Sequence, residues 1–217
     1  MAQIFPRSAN AVFRATVMGV IGMVAATVAL AYGIHGGGYF TRQDLIRHQP
    51  VPFSHRHHVE SMGIDCRYCH WLAEESHFAG IPPTHTCMGC HSQIWAESPM
   101  LKPVRDSYES GEPLVWNRVH DLPDFVYFNH SIHVAKGMGC ATCHGRVDQM
   151  ALVWQENTLH MAWCLDCHRN PEKYVRPKDQ IYNMAWNPTA REQAELGPKL
   201  VEAYDIQTQD HCYTCHR

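Results

Sequence analysis

Residues 53–70 read FSHRHHVESMGIDCRYCH, and residues 128–144 read FNHSIHVAKGMGCATCH. Both follow one pattern: Phe-x-His-x-x-His-Val, then six residues in the first copy and five in the second, then Cys-x-x-Cys-His. An internal repeat of this kind is read before any secondary structure, because it sets the architecture. Its closing motif is the attachment signature of c-type haem. Two thiols add to the two vinyl groups of one porphyrin, and the histidine that follows sets its imidazole beneath the iron.

The same motif accounts for every cysteine in the chain. The ten form five pairs, Cys66/Cys69, Cys87/Cys90, Cys140/Cys143, Cys164/Cys167 and Cys212/Cys215, and each pair is followed by a histidine: His70, His91, His144, His168 and His216. A four-cysteine zinc ribbon would fit the 17 residues between Cys69 and Cys87, but zinc does not require a histidine after every pair. With 17 histidines among 217 residues, five successes in five come to roughly 3 in a million by composition alone. Redox dithiols would need a thioredoxin-like βαβ pattern, and a disulfide framework gives the histidines no role. The reading is five covalent haem c groups, with the cysteines as attachment sites and the five histidines as proximal ligands. Each repeat copy carries a second motif behind it, and the fifth stands at residues 212–216.

Bis-histidine ligation would take five more imidazoles. The two Phe-x-His-x-x-His segments supply four, His55, His58, His130 and His133, because a spacing of three residues puts both rings on one helical face. His120 is the choice for the fifth. It lies in the apolar stretch WNRVHDLPDFVYF, where a buried imidazole needs a partner. Methionine is the other option, with Met62, Met138 and Met161 near their motifs.

Residues 15–34, ATVMGVIGMVAATVALAYGI, carry no charge. As a helix they extend about 30 Å, the thickness of a bilayer core. Arg7 and Arg14 precede the run and no acidic residue does, so the positive-inside rule keeps the N-terminus cytoplasmic and exports the rest. The run is longer than the apolar stretch of a usual signal peptide, although Ala29-Leu30-Ala31 could pass as a cleavage site. The expected organisation is a cytoplasmic segment at 1–14, a transmembrane anchor at 15–35, a connector at 36–52 with the breaker Gly36-Gly37-Gly38, and a periplasmic pentahaem domain at 53–217. That domain holds a haem pair in 53–100, a second in 120–175 and the fifth haem in 205–217. The expected location is the bacterial inner membrane, crossed once.

The fold class expected is mostly irregular chain with short α-helices. Residues 189–204 are expected to be helical, with Thr189 as cap and an interruption at Gly197-Pro198. Residues 123–128 are either a short strand or an extended lead into the second repeat. Some 36 residues per haem cannot build a conventional core around each, so the macrocycles themselves should supply much of the buried apolar surface. A formal charge of −3 argues against a nucleic-acid partner.

Phe-x-His-x-x-His followed by Cys-x-x-Cys-His resembles the multihaem cytochrome c3/c7 class. The fuller pattern IPPTHTCMGCH, WNRVHDLPDFVYFNHSIHVAKGMGCATCHGRV and MAWCLDCHRNP, with an N-terminal anchor, is similar to the pentahaem cytochrome c subunit of alternative complex III. That resemblance implies an electron-transfer subunit rather than an enzyme in its own right. It implies partners too: a large iron–sulfur/molybdopterin-oxidoreductase-like subunit, polytopic quinol-binding subunits, a monohaem cytochrome c and a soluble periplasmic acceptor. The multihaem subunit of menaquinone reductase complexes is related. Two alternatives stand beside it, a stand-alone membrane-anchored quinol dehydrogenase and a multihaem reductase enzyme. The enzyme would need an open iron or a lysine-ended motif, and all five motifs here end in histidine.

Overall fold

The computed structural model describes residues 4–216. Residues 1–3 and 217, which bound the expected N-terminal segment and the fifth-haem segment, lie outside the described residues. The chain divides into two units, Met1–Arg42 and Gln43–Arg217.

In the first unit a single helix runs Ala9–Gly36, 28 residues long with no buried residue. Its best 18-residue window has a mean hydropathy of 2.1, so it is long and apolar enough to cross a membrane. It begins before the uncharged run, carrying Arg14 within its first turns. Its two threonines turn their hydroxyls back onto the helix: Thr16 donates to the Val12 carbonyl and Thr27 to the Met23 carbonyl, both at 2.9 Å. That leaves neither threonine hydroxyl of this helix unpaired along its exposed surface. Gly37 ends the helix in an extended conformation, its N–H still bonded to the Ile34 carbonyl.

The second unit has no sheet among the described residues. Its extended segments meet only as isolated bridges, Gln43 with Gln155, Val126 with His216 and Met138 with Val175. Residues 123–128 are neither a strand nor a fully extended lead: a turn at 124–125, closed by the Val126 N–H on the Pro123 carbonyl at 2.9 Å, precedes the one bridge at Val126. Short helices form on the cysteine motifs: Cys66–Cys69, Thr84–His91, Cys140–His144, Met161–Arg169 and Cys212–Cys215. One helical turn is what the spacing needs, since residues three apart share a face and the two thiols then point the same way.

The two repeat copies differ by one residue in length, and the backbone absorbs it locally. In the second copy the paired histidines sit on an α-helix, His130–Ala135. In the first the corresponding turn is a π-helix, Arg56–Ser61, which accommodates an extra residue in the coil. Both copies then turn through a glycine with positive φ, Gly63 at 69° and Gly137 at 81°, a conformation that favours glycine. From there they re-enter register at the attachment motif.

The protein's own core is small. Val51, Leu101 and Val104 are buried together, with Cys87, Met88, Leu114 and Trp116 packed around them. Elsewhere, among the described residues, Met150 and Val175 are the large side chains that are fully buried. The helix Ala190–Ala203 closes the far end. Thr189 and Glu192 form a reciprocal capping box, and Gln193 Nε2 donates to the carbonyls of Glu172 and Val175 at 2.7 and 2.9 Å. The expected interruption at Gly197-Pro198 does not occur, because the helix runs through Pro198. Gly197 serves packing instead: its Cα lies so close to the Glu172 carbonyl that a Cβ would run into it.

Candidate haem centres

The paired histidines are positioned by their own repeats. In each copy the phenylalanine meets the first ring edge-on and stacks on the second. Phe53 is 5.0 Å from His55 at 87° and 4.4 Å from His58 at 21°. Phe128 is 4.8 Å from His130 at 89° and 4.5 Å from His133 at 27°. The second histidine of each pair is also pinned by its Nδ1. That of His58 donates to the Ser54 carbonyl at 2.8 Å, and that of His133 to the Asn129 carbonyl at 2.7 Å.

Each of the four rings faces a motif histidine. His55 lies 6.4 Å from His70, with the rings parallel to within 5°. His130 lies 6.4 Å from His144, at 10°. His58 and His91 are 6.1 Å apart, and His133 and His168 6.0 Å apart, both pairs at 68°. Two metal–imidazole bonds of about 2 Å, plus the ring half-widths, put facing ring centres about 6 Å apart. The spacing therefore fits one iron between each pair, with rings near parallel at two sites and crossed at the other two.

The outer nitrogens agree with that fit. A ring that ligates through Nε2 carries its proton on Nδ1 and offers it to a fixed acceptor. Backbone carbonyls take it from His70 (Gly80, 2.7 Å), His91 (Ile94, 3.0 Å), His130 (His77, 2.8 Å) and His216 (Phe125, 3.2 Å), as from His58 and His133. His55 Nδ1 is buried without such a partner. Gly80 and His77 contribute through their main chain, which no side-chain pattern in the sequence could have flagged.

His120, the choice for a fifth distal imidazole, lies beside a motif histidine. Its Nε2 is 3.2 Å from Nδ1 of His144, and the rings are 4.3 Å apart at 72°. It touches the outer edge of an imidazole whose other edge points toward His130, so it stands at the third centre. The ring neighbour of His216 is Phe125, at 5.8 Å. His57 turns away from its pair and stacks on Trp95 at 5.7 Å.

The ten cysteines do not share one setting, although the repeated motif treats them alike. Eight are half-buried, while Cys90 and Cys212 are exposed. Cys90 departs most clearly from its own partner. Cys87, one turn earlier on the helix Thr84–His91, packs against the Val51, Leu101 and Val104 core. Cys90 lies a turn beyond the edge of that core, so the protein covers one thiol of the second motif and leaves the other at the surface. At Cys212 the short helix Cys212–Cys215 stands at the end of the chain with no buried residue.

Burial sets the protonation of the site. It holds the imidazoles of His55 and His120 down at about 4 and that of His144 at about 3, so each is neutral, as a ligand or acceptor must be. The thiols move the other way: burial raises Cys140 and Cys167 to about 11 and Cys143 to about 12. Among the described residues no three His, Cys, Asp or Glu side chains converge as a zinc site requires.

Arg176 braces the third attachment segment. It is buried, donates to Thr142 Oγ1 at 3.1 Å, and lies over the Trp186 ring at 4.8 Å. Gly139 leaves it room, since a Cβ there would collide with the guanidinium.

Comparison with known proteins agrees with the geometry. Residues 126–217, which hold the third, fourth and fifth motifs, match the family described as cytochrome c7 and related cytochrome c. Over 99 residues the chain is 37% identical to the menaquinone reductase multihaem cytochrome c subunit of Nitratidesulfovibrio vulgaris (strain Hildenborough). The match covers 45% of this chain and 46% of that protein, so it spans about half the length of the curated relative. With short helices on its cysteine motifs and no sheet among the described residues, the chain is similar over residues 126–217 to cytochrome c7 and related multihaem cytochromes c.

Proposed function

We propose that this chain is a membrane-anchored pentahaem electron relay, a subunit of a quinone-linked oxidoreductase complex. The observation that carries the reading is the set of four imidazole pairs spaced 6.0–6.4 Å apart, each joining a motif histidine to a repeat histidine. Haem c, when bound, supplies a one-electron couple at each site. The cysteine pairs would hold each porphyrin through two thioethers, and at four sites the paired histidines would both bind the iron, which would leave no place there for a substrate.

The attachment segments also support an order. His55 and His58 lie three residues apart and tie the first and second sites together. Cys87 is close enough to Cys69 for its charge to oppose the ionisation of Cys69. Cys66 and Cys140 stand in the same relation, and His130 of the second repeat is bonded to His77 of the first. Cys143 is near Cys164 and Cys167. Cys164 is near Cys215, where Arg169 pairs with Asp210 at 3.2 Å. The sites then follow the line second, first, third, fourth, fifth, with the second and fifth at the ends. The exposed thiols Cys90 and Cys212 belong to those two end sites, where an electron must enter or leave.

The apolar helix fits a single-pass anchor, with the haem domain on the periplasmic side by the positive-inside rule. The resemblance to alternative complex III and the match to a menaquinone reductase subunit agree on a complex that exchanges electrons with quinone. The expected partners are an iron–sulfur/molybdopterin-oxidoreductase-like subunit, polytopic quinone-binding subunits, a monohaem cytochrome c and a soluble periplasmic acceptor or donor. Purification from membranes in mild detergent tests this. Co-migration with large iron–sulfur and polytopic subunits, and haem reduction on adding quinol, are expected. An isolated chain that reduces a periplasmic acceptor from quinol by itself would favour the stand-alone dehydrogenase. A high-spin ferric signal in the intact protein would favour an enzyme.

A further inference from the structure

The two repeats place equivalent proximal histidines, His70 and His144, in different company. His70 gives its Nδ1 proton to a backbone carbonyl, that of Gly80. At His144 the same atom meets the Nε2 of His120, at 3.2 Å. His144 lies 6.4 Å from His130 with the two ring planes within 10°, a spacing that commits its Nε2 edge to the space between them. Its Nδ1 must then carry the proton, and His120 Nε2 must accept it.

We propose that His120 is a positioning residue of the third haem centre, accepting a hydrogen bond from Nδ1–H of His144 and so lowering the reduction potential of the haem held by Cys140 and Cys143. The inference rests on His144 being a proximal ligand. An imidazole nitrogen is a stronger base than an amide carbonyl. A ligand whose outer proton is shared with a stronger base becomes a better donor, which favours the oxidised iron. The third site thereby differs from the first, although the two are built on the same repeat. On the proposed line it lies in the middle, where a local change of potential acts on every electron that passes.

The test is a redox titration of the purified, haem-loaded full chain with His120→Ala, His120→Gln and the unaltered protein. In His120→Ala the haem count and low-spin spectrum should match those of the unaltered protein. One of the resolved redox components should rise by at least tenfold in its equilibrium constant, about 59 mV for one electron. His120→Gln retains an acceptor oxygen and should restore part of the shift. It also keeps the test open if the alanine variant does not accumulate. Unchanged components in either variant with intact low-spin haems would overturn the proposal. So would a new high-spin iron, since that makes His120 an axial ligand. Failure of the underlying reading looks different: unaltered protein would then lack the haem at Cys140 and Cys143 altogether.

Discussion

His55 and His70 face each other across 6.4 Å with rings parallel to within 5°, although the first belongs to the repeat's leading helix and the second to the attachment motif. A shared iron accounts for two parallel imidazoles at that distance without a hydrogen bond between them. Replacing His55 with alanine should therefore open one axial position. We expect one of five haems to turn high-spin and bind carbon monoxide, with the other four unchanged. His130→Ala should do the same at the third site. His57→Ala, which removes a ring stacked on Trp95, should leave all five haems as they are in the unaltered protein. Electron paramagnetic resonance and carbon monoxide difference spectra check this.

Gly139→Ala should destabilise the haem domain by roughly 1–3 kcal/mol, the usual cost of overpacking, because the buried Arg176 guanidinium occupies the space a Cβ needs. Gly197→Ala should cost a similar amount, since there the obstacle is the Glu172 backbone. Gly63→Ala meets no neighbouring atom and loses only the ease of its positive φ, roughly 1 kcal/mol. Thermal midpoints of the three haem-loaded variants should rank accordingly.

Thr189→Ala removes one half of the capping box and leaves the Glu192 N–H without its acceptor. The expected loss is about 1 kcal/mol, or about 2–4 °C in midpoint for a chain of this size. Circular dichroism on the intact protein reads it.

Asp65 caps the first attachment helix, accepting from the Arg67 N–H at 2.8 Å and from its guanidinium at 2.9 Å. Those bonds lower the carboxyl to about 2. A group depressed in the folded state contributes stability that is complete above its unfolded value, about 4. It is lost as the pH falls through the folded value near 2. The stability difference between the unaltered protein and Asp65→Asn should be constant from pH 7 to about 5 and vanish near pH 2. A difference that grows on acidification would contradict the assignment.

Much of the site was legible in the sequence because its chemistry is local. Cys-x-x-Cys-His fixes three ligating atoms within one helical turn, and Phe-x-His-x-x-His fixes a ring pair on one face. The pairing of His55, His58, His130 and His133 follows from those short spacings. What was not legible is carried by long-range packing or by backbone. No pattern marks the carbonyls of Gly80 and His77 as acceptors for ring protons. Nor does the motif show that Cys90 stands exposed while Cys87 is packed, since that depends on where the small core ends. His120 shows the limit most clearly: burial was readable from its apolar neighbours, but not which imidazole it would meet 24 residues away. In the fold, Pro198 suggested a break that the helix does not make. Anchoring by the capping box at one end, and close packing of Gly197 on Glu172, outweigh the local penalty. The extra residue of the first repeat was visible as a count, while its accommodation as a π-helix was not.

The central claim is that porphyrin is bonded at all five motifs. Intact-mass spectrometry of the purified chain after thiol alkylation tests it most directly. The account predicts a mass increment of five haem groups with no cysteine alkylated, the exposed Cys90 and Cys212 included. Fewer haems, with free thiols at any of the pairs Cys66/Cys69, Cys87/Cys90, Cys140/Cys143, Cys164/Cys167 or Cys212/Cys215, would contradict it.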